Sequence, residues 1–83
     1  ALAYAARGGM EKEKKQLELA AYDYEKASSL DPDNQDYLWN HADVLYQLGN
    51  PFDAKKDLDR LRLLGVPQGQ INEFRNRYRS KKR

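Results

Sequence analysis

The chain repeats itself. Side chains 34 positions apart correspond in kind: Tyr4 with Leu38, Gly8 with Ala42, and Ala20 with Ala54. A fixed period of that length is the mark of stacked helix-turn-helix units, each too small to bury its apolar face alone and so burying it against the next. In that register residues 1–34 form one unit, residues 35–68 a second, and residues 69–83 a closing helix with a basic tail. The expected fold class is all-α, a solenoid of paired helices with a terminal cap.

Turn chemistry places the helix ends. Asp31-Pro32-Asp33-Asn34 stops one helix and offers Asp33 or Asn34 as the N-cap of the next, since a short side-chain oxygen accepts an unpaired first-turn amide. Gly49 suits the left-handed position past that helix, Asn50 suits the next N-cap, and Pro51 sits where a missing amide hydrogen is harmless. Gly65 and Pro67 repeat the stop. The spacing predicts helices over roughly 17–29, 35–48, 51–64 and 69–79, after an opening helix. That opening helix carries Gly8-Gly9, each costing about 1 kcal/mol relative to Ala while letting a partner helix come close. Residues 11–16 hold no Gly or Pro, so a turn there competes with one unbroken helix over 10–29; the repeat register favours the turn.

The same spacing assigns the core. Leu38, Ala42 and Leu45 fall on one stripe, widened by His41 and Leu48; Ala54, Leu58 and Leu61 form another, backed by Leu64. Ile71, Phe74 and Tyr78 give the last helix a narrow apolar face against a charged remainder, as a cap requires. Trp39, Asp43 and Tyr46 share a further face, turned about 100° from the Leu38 stripe. These aromatics either line a binding surface or complete the interior against the first and last helices.

With its places lined up, the sequence resembles the tetratricopeptide repeat (TPR) family over most of its length. The first unit supplies Tyr4, Gly8, Ala20, Tyr24, Ala27 and Pro32; the second supplies Leu38, Ala42, Leu45, Gly49, Ala54 and Leu58. It departs from the pattern at Glu11, where a bulky apolar residue is usual, and at Lys15, where a turn glycine is usual. Further departures are Leu61 at the second alanine and Val66 at the proline, which follows at Pro67. The resemblance implies a right-handed solenoid and a non-enzymatic protein-protein interaction module, binding an extended peptide or a helix in its concave groove. The family's groove places correspond to Leu2, Ala5, Ala6, Gly9, Lys12 and Glu13 in the first unit. In the second they are Asp36, Trp39, Asn40, Asp43, Tyr46 and Gln47. Trp39, Asn40, Asp43 and Tyr46, with Asp36, Gln47 and Lys12, are the candidate peptide contacts. The clamp by which some members grip a C-terminal carboxylate is not assembled: Asn40 takes one of its places, but Ala5, Gly9, Gln70 and Phe74 take others.

Composition narrows the function classes. At 83 residues, 40% hydrophobic, 34% charged and with a mean hydropathy of −1.03, this is one domain or a piece of one, soluble, with a thin core and no room for a large enclosed active site. There is no cysteine, which fits a reducing or an oxidising compartment equally. No apolar run approaches the roughly 18 residues of a membrane span, and no basic-then-apolar leader precedes the repeats. The chain opens at Ala1 inside an expected helix, and we read it as part of a longer polypeptide. His41, the single histidine, falls on the edge of the core stripe as a packing residue, and Asp43 two residues on points elsewhere. No ligand set for a metal, no phosphate loop and no convergent catalytic groups stand out, so no cofactor is expected.

Charge is unevenly spread. Residues 1–74 carry nine Lys and Arg against thirteen Asp and Glu, whereas residues 75–83 carry six basic residues and no acid. Arg75, Arg77, Arg79, Lys81, Lys82 and Arg83 are candidate contacts to phosphates or an acidic surface, although basic residues also complement a helix C-terminus. Two alternatives to peptide binding follow: nucleic-acid or acidic-surface binding through this tail, and self-association through the apolar solenoid ends around Leu2 and Tyr4.

Overall fold

The computed structural model describes residues 1–79, which form five α-helices and no strand. They are α1 (Leu2–Glu13), α2 (Leu17–Leu30), α3 (Gln35–Gln47), α4 (Pro51–Leu63) and α5 (Gln68–Arg79). The break between α1 and α2 excludes the unbroken helix over 10–29. Lys15 adopts a left-handed φ of 63°, and Gly49, 34 positions later, adopts 77°. Both turns close with the same bond: the Gln16 amide donates to the Glu11 carbonyl at 2.8 Å, and the Asn50 amide to the Leu45 carbonyl at 2.8 Å. The left-handed residue lets the chain double back and satisfy a last-turn carbonyl. Gly65, at a φ of 106°, does the same after α4, with the Val66 amide on the Leu61 carbonyl at 3.0 Å.

Asn34 caps α3, its Oδ1 accepting the Tyr37 amide at 3.2 Å. Asn50 differs from expectation. It stands at the N-cap of α4 behind Pro51, but its side chain donates to the Asp53 carboxylate at 2.7 Å and caps no amide.

Close approach of α1 and α2 depends on Gly8, which is buried. A methyl group at that position would lie 3.0 Å from a ring carbon of Tyr24, so the aromatic occupies the space a side chain would fill. The main core gathers Leu38, Ala42, Leu45, Ala54, Leu58, Leu61, Val66, Ile71 and Phe74, and a smaller cluster joins Ala20, Tyr24 and Val44. Helix α3 thus buries two stripes, one toward α4 and α5 and a second, through Val44, toward α2. A middle element in a stack has neighbours on both sides, and Val44 with Leu48, packed with Ala20 and Tyr24 of α2, records the second neighbour.

Each helix pair also holds a buried acid. Asp23, 1% exposed, accepts a two-bond contact from Arg7 at 2.8 and 2.9 Å, and Asp57 meets His41 Nδ1 at 2.6 Å. Arg7 and His41 are 34 positions apart, as are Asp23 and Asp57, so the polar tie repeats with the fold. The partner of His41 is therefore on α4, out of reach of a search along its own helix. The Arg7 guanidinium holds the Asp23 carboxyl below the usual carboxylate range. Beside them stands Glu11, at the place filled by Leu45 in the second pair. Hydrogen bonding to Asp23, then burial, pushes the Glu11 carboxyl above its usual range, and its Oε1 is buried without a hydrogen-bond partner.

Candidate peptide-binding groove

Helix α2 packs on α1 and α3, and α4 packs on α3, while side chains of α1 and α5 meet those of α3 on one face, so that these three present a shared front layer; the described residues measure 31 × 31 × 17 Å, about two helices thick. Asp43 ties the front layer together. From α1, Lys12 Nζ reaches Asp43 Oδ2 at 2.5 Å and Asn40 Oδ1 at 3.0 Å; from α5, the Tyr78 hydroxyl donates to Asp43 Oδ1. Gln47 donates to the same Oδ1 at 3.2 Å, and the Asn40 amide donates to the Asp36 carbonyl at 2.9 Å. Burial, then the charge of Asp43, pushes the Tyr24 hydroxyl behind this network above its ordinary range.

Phe74 of α5 sits among the aromatics of α3, its ring centre 5.1 Å from Trp39 and 5.5 Å from Tyr46, and Tyr46 stacks on Tyr78 at 4.8 Å. Such spacing suits tilted and offset ring pairs. Trp39 and Tyr46 therefore pack against the last helix while remaining half-exposed. Two open recesses result. One of about 710 Å³ runs between α3 and α5, bordered by Trp39, Asn40, Asp43, Gln70, Phe74 and Arg77. The other, of about 430 Å³, runs between α1 and α3, bordered by Lys12, Glu13, Lys15, Tyr24, Asn40 and Gln47 with the backbone of Gly9.

The structure brings Lys12, Trp39, Asn40, Asp43, Tyr46 and Gln47 onto this layer, and leaves Asp36 exposed on the first turn of α3. Leu2 and Ala6 are exposed, whereas Ala5 and Gly9 are half-buried. The arginines of α5 diverge: Arg77 lies over the Phe74 ring at 5.8 Å, while Arg75 and Arg79 border a different cleft. Lys81, Lys82 and Arg83 lie outside the described residues. Glu73 and Pro67 join the rim from α5 and its approach, a contribution hidden from sequence because it depends on how the cap settles. Among the described residues no group of three or more His, Cys, Asp or Glu could hold a metal ion, and no helix is long and apolar enough to cross a membrane.

A family model described as TPR repeat matches residues 8–49, which is 42 of the 83 residues. The chain belongs to the TPR family. No curated protein and no solved structure matched it. TPR repeats generally mediate protein-protein interaction, and the TPR match spans the α1–α2 turn, the buried Asp23 and the whole of α3.

Proposed function

We propose that this TPR chain binds another protein by taking an extended segment or a helix of it against the α1–α3–α5 layer. The observation that carries the reading is the pair of recesses flanking Asn40, where an aromatic rim stands beside hydrogen-bonding side chains. Aromatic surface supplies adhesion and the polar groups orient the guest. Lys12 and Tyr78 both bond Asp43 and hold the wall; Asn40 and Gln47 join that network through Lys12 and Asp43 and, with Trp39, border the recesses where a partner would lie. The test is a panel of short random peptides selected on the chain. Asn40→Ala with Gln47→Ala should weaken capture several-fold and leave the melting temperature nearly unchanged, while Phe52→Ser on the exposed side of α4 has no effect. Capture that ignores the groove pair and depends on Phe52 would refute the assignment.

A second reading, self-association, is favoured by one comparison. Val44 is fully buried against α2, whereas its counterpart 34 positions earlier, Met10, is 58% exposed. Met10 and Leu2, which is 80% exposed, give α1 an apolar face that a second copy would cover. Light scattering over a concentration series decides: a mass that rises with concentration supports pairing, and a constant monomer opposes it.

A further inference from the structure

At the turn end of the molecule lies a cleft of about 980 Å³ whose described lining contains three cations, Lys15, Arg75 and Arg79, and no carboxylate. Its apolar wall is Leu17 with the stacked rings of Tyr46 and Tyr78. We propose that this cleft is a subsite for an acidic stretch of the partner polypeptide, its carboxylates met by Lys15, Arg75 and Arg79 and a neighbouring apolar side chain seated on Leu17 and the two tyrosines. This deepens the peptide-binding reading and rests on it.

Several features favour an acidic guest. None of the three cations forms an ion pair with a carboxylate of the described residues, although residues 1–74 hold more acids than bases. Their charge is concentrated in a concave site, where the field is stronger than on a convex surface. Arg75 and Arg79 are four apart on α5, so they share a face, and Lys15 approaches from the α1–α2 turn on the other side of the cleft. Lys15 also holds a left-handed backbone that glycine adopts with less strain, so the lysine is not there for the turn. The first residues of α2 and α4, Leu17 and Pro51, border the same cleft, and the positive ends of the two helix dipoles add to the side-chain charge.

A peptide suits the site better than a nucleic acid. Tyr46 and Tyr78 stack on each other with ring planes 18° apart, so part of each ring face is already covered, which counts against stacking of a base more than against an aliphatic side chain that also rests on Leu17. Backbone phosphates would in addition meet the acid excess of residues 1–74.

The experiment pans short random peptides displayed on phage against the whole chain and against a Lys15→Gly, Arg75→Gln variant. The wild-type pool should be enriched in Asp and Glu beside an aliphatic or aromatic residue. Affinity of its leading peptides, measured by fluorescence anisotropy, should fall about fivefold to tenfold in the variant, the scale of losing two exposed ion pairs. Glycine suits the turn, so the variant should melt no lower than wild type; should it melt lower, Arg75→Gln alone, at an exposed residue that borders this cleft and neither groove recess, carries the comparison. Acidic enrichment that is absent, or that survives in the variant, overturns the subsite. If peptides are selected without acidic bias and lose affinity on Asn40→Ala, which lies outside the cleft, the groove reading stands and the subsite falls. If an unstructured oligonucleotide binds with the same dependence on Lys15 and Arg75 and no peptide does, both fall.

Discussion

Lys15 is the residue at which backbone and side chain ask for different things. A left-handed φ is strained for any residue with a Cβ by roughly 1–2 kcal/mol, and glycine relieves it while adding entropy to the unfolded chain. The net expectation for Lys15→Gly is a gain of about 1 kcal/mol, seen as a rise of roughly 4–8 °C in the melting temperature. A fall would mean that the lysine side chain holds the turn. The Arg7, Asp23 and Glu11 group gives a prediction in pH. The Asp23 value is lowered on folding, so its contribution is present above the ordinary Asp range near about 3.9 and is lost as pH falls through the depressed value. Glu11 is raised, so the fold favours its protonated form: that contribution is complete below about 4.3 and is lost as pH rises through the raised value. Glu11→Gln should therefore gain stability relative to wild type as pH climbs from about 4 to 7, measured by urea unfolding; a difference that does not vary with pH would contradict the assignment. The Lys15 turn was legible in the sequence because its counterpart 34 positions on is Gly49. The pairs of Arg7 with Asp23 and His41 with Asp57 are written in the same register, but each joins residues 16 apart on two helices, where helical periodicity is silent.

Among the elements, α1 depends on a pair of glycines that the structure separates in role. Gly8 faces the Tyr24 ring, and Gly9 faces only its hydroxyl, at ordinary contact distance for an added methyl. Gly9→Ala should stabilise by up to about 1 kcal/mol through helix propensity. Gly8→Leu should destabilise by about 1–3 kcal/mol or more, because the larger side chain displaces the ring and drives α1 from α2. Thermal melts of the two variants check both; equal effects would mean that α1 does not pack on Tyr24. The stripes of α3, α4 and α5 were readable from spacing, since Leu38, Ala42 and Leu45, then Ala54, Leu58 and Leu61, then Ile71, Phe74 and Tyr78 recur at helical intervals within each helix. The burial of Val44 was not, since its partners belong to the preceding unit. Whether Trp39 and Tyr46 were surface or interior also stayed open until the seat of Phe74 was known, because no local pattern states how far a cap leans over its neighbour.

For the whole molecule, one building block used twice and closed by a single helix explains both the shape and the layer on which binding is proposed. The front layer is held by Asp43, which receives bonds from α1 and α5, so its three helices act as one wall with recesses on either side of Asn40. The candidate groove residues were nameable through the TPR register; their mutual bonds were not, since Lys12 and Asp43 are neighbours only after stacking. The most direct test is amide chemical-shift mapping of the labelled chain titrated with a selected peptide. The account predicts shifts concentrated at Lys12, Asn40, Asp43, Gln47 and along α5, with the exposed sides of α2 and α4 silent. Shifts confined to α2 and α4, with the α1–α3–α5 layer unmoved, would contradict it.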